Sequence, residues 1–81
     1  MRRLISNTEL IIDSLDEEPI NLRSLCLKLN LYETTVVPYL DRLVVNGLVL
    51  EKRSRGERLF WLSESGLVAR VHVRTLMKLI S

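Results

Sequence analysis

The chain has 81 residues, 47% of them hydrophobic, 27% charged and only 5% aromatic. That length suits one domain near the lower size limit for a self-sufficient core; the apolar content excludes a disordered chain and the core must be aliphatic. The formal net charge of +2 permits a nucleic-acid partner without demanding one.

Leu4, Thr8, Ile11, Ile12 and Leu15 fall at helical spacing. Ser6 and Glu9 have capping-box spacing, and Ile5 and Leu10 have the staple spacing that accompanies it. A first helix is therefore expected from near Asn7 to about Glu17, with Met1 to Ile5 either extending it or irregular. Its acidic end, Asp16-Glu17-Glu18, opposes the helix dipole and predicts fraying. Pro19-Ile20 reads as a short extended link. Asn21 is a good N-cap for a second helix over Leu22 to Leu29, with Leu22, Leu25, Cys26 and Leu29 as its apolar stripe. Asn30 suits a left-handed C-terminal position.

After a turn of three or four residues, a third helix begins near Glu33 or Thr34. It buries Val36, Leu40 and Leu43 and stops at Asn46-Gly47. With Thr34 as N-cap, Pro38 lies at the edge of the first turn, where a proline costs little. Two short helices joined so tightly fit a helix-turn-helix. Leu48 to Arg53 and Arg58 to Leu62 are rich in strand formers, and Ser54-Arg55-Gly56-Glu57 is a turn, so a hairpin with a basic tip follows. One of Phe60 and Trp61, which alternate across the second strand, is expected on the core. Ser63 caps a last helix, roughly Glu64 to Ile80. The fold class is α+β, mainly α.

The last helix carries Leu67, Val68, Val71, Leu76, Leu79 and Ile80, with Ala69, Val73 and Met77 widening the apolar circumference. A surface helix needs only one apolar side. This one exceeds what its own small domain can cover, which predicts packing on the first helix and on a second copy; the alternative is that it wraps its own core. Residues 1–66 are thus read as the main domain and 67–81 as a dimerisation element. Arg70, Arg74 and Lys78, spaced by four, form a basic stripe expected to stay solvated or to lie along a nucleic acid.

Cys26 is the only cysteine, so no internal disulfide forms, and its place on an apolar stripe predicts a buried thiol. His72 is the only histidine and, far from Cys26 in sequence, makes no metal site. No phosphate loop, catalytic carboxylate pair or activated nucleophile is present, so neither enzymatic activity nor a cofactor is expected. No apolar run approaches the ~18 residues needed to cross a bilayer. The N-terminus lacks the apolar stretch of a signal peptide, and the cytoplasm is the expected compartment.

Three fragments carry a family resemblance. Thr35-Val36-Val37-Pro38-Tyr39-Leu40-Asp41-Arg42-Leu43 places Thr35, Pro38, Leu40 and Leu43 as in the recognition helix of PadR-like proteins. Asn46-Gly47-Leu48-Val49 matches their turn into the wing, and Leu62-Ser63-Glu64-Ser65-Gly66 their Leu-Thr-x-x-Gly at its close. Val37 stands where an aromatic is common, and Tyr32 where Ser or Thr usually caps the helix. From Leu31 to Gly66 the chain resembles winged helix-turn-helix transcription factors and is similar to PadR and MarR-type regulators.

The resemblance implies a homodimeric regulator that binds double-stranded DNA sequence-specifically, with a recognition helix in the major groove and a wing on the backbone or minor groove. It assigns to DNA the helix face bearing Tyr32, Thr34, Thr35, Pro38 and Arg42, alongside the acids Glu33 and Asp41. The wing cations Lys52, Arg53, Arg55 and Arg58 join them, four in seven residues. Arg23, at the start of the second helix, is a further phosphate contact. The implied partners are DNA and a second copy, with no membrane and no metal. The alternatives are a solvated helix face and a wing whose charge only deters sheet-to-sheet aggregation. At the level of function they are a winged-helix protein-interaction module or a weakly specific architectural DNA-binding protein.

Overall fold

A computed structural model describes residues 5–80, so Leu4 and the rest of the N-terminal extension lie outside the described residues. Helix α1 is Asn7–Ser14. The Glu9 backbone N–H donates to the Ser6 hydroxyl and the Ser6 N–H to the Glu9 carboxylate, which completes the capping box. The helix ends three residues short of the expected Glu17, because Leu15 turns to extended backbone (φ −89°, ψ 158°). Its last carbonyls do not fray. Lys28 donates to Ser14 O at 2.7 Å, Arg70 to Leu15 O at 3.0 Å and Arg74 to Asp13 O at 3.3 Å. Three cations from two other helices thus occupy the negative end of the α1 dipole.

Strand β1 is Ile20–Asn21 and helix α2 is Leu22–Leu29. Asn21 caps α2 by accepting the Ser24 N–H at 2.7 Å. Asn30 takes the left-handed conformation (φ 56°), while the N–H of Leu31 returns to Cys26 O. Helix α3 is Glu33–Val45. Its N-cap is Tyr32, not Thr34, and no side chain caps it. Pro38 is therefore the sixth helical residue, beyond the first turn. The position is tolerated because Thr34, whose carbonyl Pro38 cannot serve, and Pro38 itself are both exposed to water. Gly47 (φ 76°) ends α3, with its N–H on Val44 O and that of Leu48 on Leu43 O.

Strands β2 (Val49–Ser54) and β3 (Glu57–Leu62) form the hairpin, and β1 pairs with β3 to give the sheet order β1-β3-β2. The connection is tighter than the four-residue turn expected. Ser54 pairs with Glu57, leaving only Arg55 (φ 52°) and Gly56 (φ 79°) between the strands. Two successive positive φ values are those of a type I′ turn, whose twist matches the strands.

Helix α4, Glu64–Ile80, follows the hairpin. The Ser63 hydroxyl accepts the Gly66 N–H and donates to Gly47 O, so one side chain ties the start of α4 to the end of α3. The core is aliphatic around one aromatic: Phe60, Ile11, Leu25, Val36 and Leu40 are fully buried. Trp61 is half-buried on the opposite sheet face, beside exposed Leu50, its register partner. The fold of α4 onto this core needs Gly66, where a Cβ would stand inside van der Waals distance of the Leu48 carbonyl oxygen. Gly66→Ala should cost about 1–3 kcal/mol, the range for overpacking a rigid site, read as a lowered urea midpoint with an unchanged m-value.

Candidate nucleic-acid interface

The buried stripe of α3, Val36, Leu40 and Leu43, faces the core and fixes what the helix shows outside. Tyr32, Thr34, Pro38, Asp41 and Arg42 are exposed and Thr35 half-exposed. Tyr32 is 84% exposed, unusual for an aromatic with no ring partner among the described residues. Arg42 lies over the Tyr39 ring, 5.9 Å from its centroid. The hairpin stands beside this face. Asn21, Leu22 and Arg23 of the α2 start, Glu33 of α3 and Gly56, Glu57 and Arg58 of the wing line one shallow groove of about 250 Å³. The elements expected to meet a duplex thus share one side of the molecule.

Apart from Lys28 and Lys78, the described cations divide into two groups. Arg58, Arg70 and Arg74 are ion-paired. Arg58 Nε donates to Glu51 at 2.7 Å and its Nη2 to Asp41 at 3.0 Å and to Glu51 at 3.1 Å. Arg70 meets Asp16 at 3.3 Å and Arg74 meets Asp13 at 2.8 Å. The expected solvated stripe of α4 is therefore corrected at Arg70 and Arg74, which pin α4 to the end of α1. Arg23, Arg42, Lys52, Arg53 and Arg55 are all exposed, and no described residue forms an ion pair with them. All five were expected at DNA. Arg58 was expected with them, yet its charge is already matched by two carboxylates.

Sequence reasoning passed over Glu51 and Asp41 as partners for that arginine. The hairpin register held a signal: Glu51 pairs with Phe60, and Arg58 lies two residues from Phe60 on the same face. Nothing in the sequence brings Asp41 to this pair. The hydrogen bonds from Arg58 hold the Glu51 carboxyl below its ordinary range, and its two acceptors push the Arg58 guanidinium up. The Glu17 backbone N–H, and after it Arg70, lower the Asp16 carboxyl. Burial raises the Cys26 thiol, with Glu33 adding to it, in keeping with an inert core cysteine.

The faces of α4 also divide. Gly66 and Val73 are buried, and Leu67 and Met77 pack on the core. Val68 (59%), Val71 (63%), Leu76 (38%) and Leu79 (76%) are exposed, whereas Ile80 is half-buried. Leu67 is thus satisfied within its own chain, unlike the exposed four. His72 is exposed on the same side as Val68 and Leu79. Among the described residues no group of three or more His, Cys, Asp or Glu is arranged to hold a metal ion, and no helix is long and apolar enough to cross a membrane.

No protein-family profile and no curated protein sequence matches the chain. Solved structures do. Sso10a-2, a DNA-binding protein from Sulfolobus solfataricus, superposes with a TM-score of 0.81 at 21% identity, over 93% of this chain and 81% of that one. A MarR-family transcriptional regulator from Rhodococcus sp. RHA1 gives 0.86 at 20% identity, over 95% of this chain and 57% of that one. F-93 of SSV1 gives 0.73 at 24% identity, over 96% and 93%. The chain has the winged-helix fold of these proteins. It spans a little over half the length of the MarR-family chain.

The Glu51–Arg58 tie has a pH signature. Because the folded-state carboxyl titrates below its ordinary value of 4.5, the stabilisation is present above that pH and is lost as pH falls through the folded value. Glu51→Gln should therefore be less stable than the parent near pH ~7, with the gap closing toward pH ~3. Urea midpoints at the two pH values measure it. A gap that is constant or widens in acid removes the charge pairing as its cause.

Proposed function

We propose that the chain is a sequence-specific double-stranded DNA-binding regulator that works as a homodimer. In this reading α3 enters the major groove, the hairpin is the wing on the backbone or minor groove, and the start of α2 meets a phosphate. One observation carries it. The exposed cations with neither an ion pair nor a hydrogen bond among the described residues, Arg23, Arg42, Lys52, Arg53 and Arg55, belong to the α2–α3 unit and the hairpin, while Lys28 is bonded to Ser14 O and Arg70 and Arg74 of α4 are neutralised. Unmatched cations are what a duplex needs, because its phosphates can take the place of the missing carboxylates. The likeness to a DNA-binding protein and a transcriptional regulator supports the same reading. Thr34 and Thr35 supply hydroxyls and methyls for base edges, and Tyr32 a phenol for a phosphate. Asp41, an acid on the reading face, is compensated by Arg58 and so repels a duplex less than its sequence suggests.

The dimer reading rests on Val68, Val71, Leu76 and Leu79, apolar side chains that α4 leaves in water. Residues 67–81 then serve as the dimerisation element beside a DNA-binding body of residues 1–66. A second copy would bury this stripe and set two α3 helices on successive half-sites about one duplex turn apart. A cytoplasmic location, where DNA is accessible, fits this role.

Two measurements test these readings. The doubly substituted Arg53→Ala/Arg55→Ala protein should bind a duplex at least about tenfold more weakly at low salt, with a log K against log[salt] slope shallower by roughly 1.8 for two lost phosphates. Titrations at two salt concentrations with a scrambled competitor report it, and equal affinity for both duplexes would favour the architectural alternative. Val71→Glu/Leu79→Glu should convert a dimeric mass in sedimentation to the monomer while leaving the thermal transition of the monomer cooperative. A parent protein that sediments as a monomer at all concentrations would defeat the dimer.

A further inference from the structure

Arg58 is the wing cation that points inward. It belongs to the second residue pair from the hairpin tip, where Arg53 is its direct cross-strand partner. Cross-strand partners share a sheet face, so two arginines stand side by side, an arrangement that repels unless acids neutralise it. Glu51, on that same face, accepts two hydrogen bonds from Arg58, and Asp41 of α3 accepts a third. The guanidinium also lies 5.1 Å from the centroid of Phe60, which is fully buried. Its side chain is 24% exposed. A phosphate approaching Arg58 would have to break a forked Arg–carboxylate pair, the strongest geometry available to this side chain. Arg53 meets no such partner and remains exposed.

We propose that Arg58 is a positioning residue for DNA recognition: it locks the wing to α3 and occupies Glu51 and Asp41 so that Arg53 stays free for the duplex, without touching a phosphate itself. This rests on the DNA-binding reading above. Glu51 and Asp41 come from different elements, and one guanidinium bridges them, so the wing and the recognition helix meet DNA as one body. Without Arg58, two carboxylates are left beside each other, and Arg53 is the nearest cation across the strand pair to answer them. The loss of one half-buried arginine then removes a second, exposed one from the interface.

The test compares Arg58→Met with the triple variant Arg58→Met/Glu51→Gln/Asp41→Asn, using a short random-sequence duplex over a series of salt concentrations. The single variant should bind about tenfold more weakly, with a slope shallower by about 0.9, the value of one phosphate contact, because Glu51 and Asp41 capture Arg53. In the triple variant no carboxylates remain to capture it, and the slope should return to that of the parent. A triple variant whose slope stays shallower by about 0.9 makes Arg58 a phosphate ligand and overturns the proposal. Amide hydrogen exchange without DNA reads the lock separately: β2 and β3 should exchange faster in Arg58→Met than in the parent, and equal rates would remove the lock. If the parent shows no salt-dependent binding, the DNA-binding reading fails, and the exchange result alone decides whether Arg58 locks the wing. Should Arg58→Met not fold, Arg58→Lys, which keeps the charge and loses the fork, should show the faster exchange of the wing strands with little change in slope.

Discussion

The apolar stripe of α3 is the constraint on which the rest depends. Val36 and Leu40 are fully buried and Leu43 nearly so, wedged against α1 and the sheet. A helix has one rotation that buries all three, since they recur at four and three residues. That rotation puts Thr34, Pro38, Asp41 and Arg42 in water together. The polar face is therefore a consequence of core packing, held in place by everything that contributes to the core. Gly66 belongs to the same constraint, because only a residue without a Cβ lets α4 cross the Leu48 carbonyl and close the core from behind.

Electrostatics then sorts the surface. The C-terminal end of α1 gathers Lys28, Arg70 and Arg74, which satisfy carbonyls that the early end of that helix leaves open. These cations do structural work through hydrogen bonds to backbone oxygen, a use that a charge count cannot distinguish from a binding patch. Arg58 does similar work between the hairpin and α3. Among the described residues, the arginines left without a carboxylate are confined to the α2–α3 unit and the wing. A formal charge of +2 understates the contrast between those two regions, because matched and unmatched charges enter the sum alike.

Several features were legible in the sequence because they depend on neighbours a few residues away. The Ser6–Glu9 capping box, the Asn21 cap, the left-handed Asn30, the Gly47 stop and the Ser63 cap all form as local chemistry requires. The limits of α2 and α4 followed from them. The misjudged boundaries lie where tertiary contacts override local preference. Helix α1 stops early because Asp16 O is taken by the Leu62 N–H and Leu15 O by Arg70, pairings from 46 and 55 residues away in sequence. Helix α3 takes the earlier of its two expected starts, Glu33, without the Thr34 cap, because its apolar stripe is anchored in the core, and the exposed Pro38 does not disturb that packing. The wing turn shortened to two residues once the strands paired fully.

The amino-acid sequence by itself determined the elements, their order, the core stripes and the identity of the exposed face of α3, since each follows from periodicity and capping within one segment. Only the tertiary structure decided which cations are available. Arg58, Arg70 and Arg74 look no different in sequence from Arg53 and Arg55, yet their partners Asp41, Asp16 and Asp13 come from other elements. Charge pairing at 3 Å is set by how elements pack across the fold, and a one-dimensional pattern does not carry that distance.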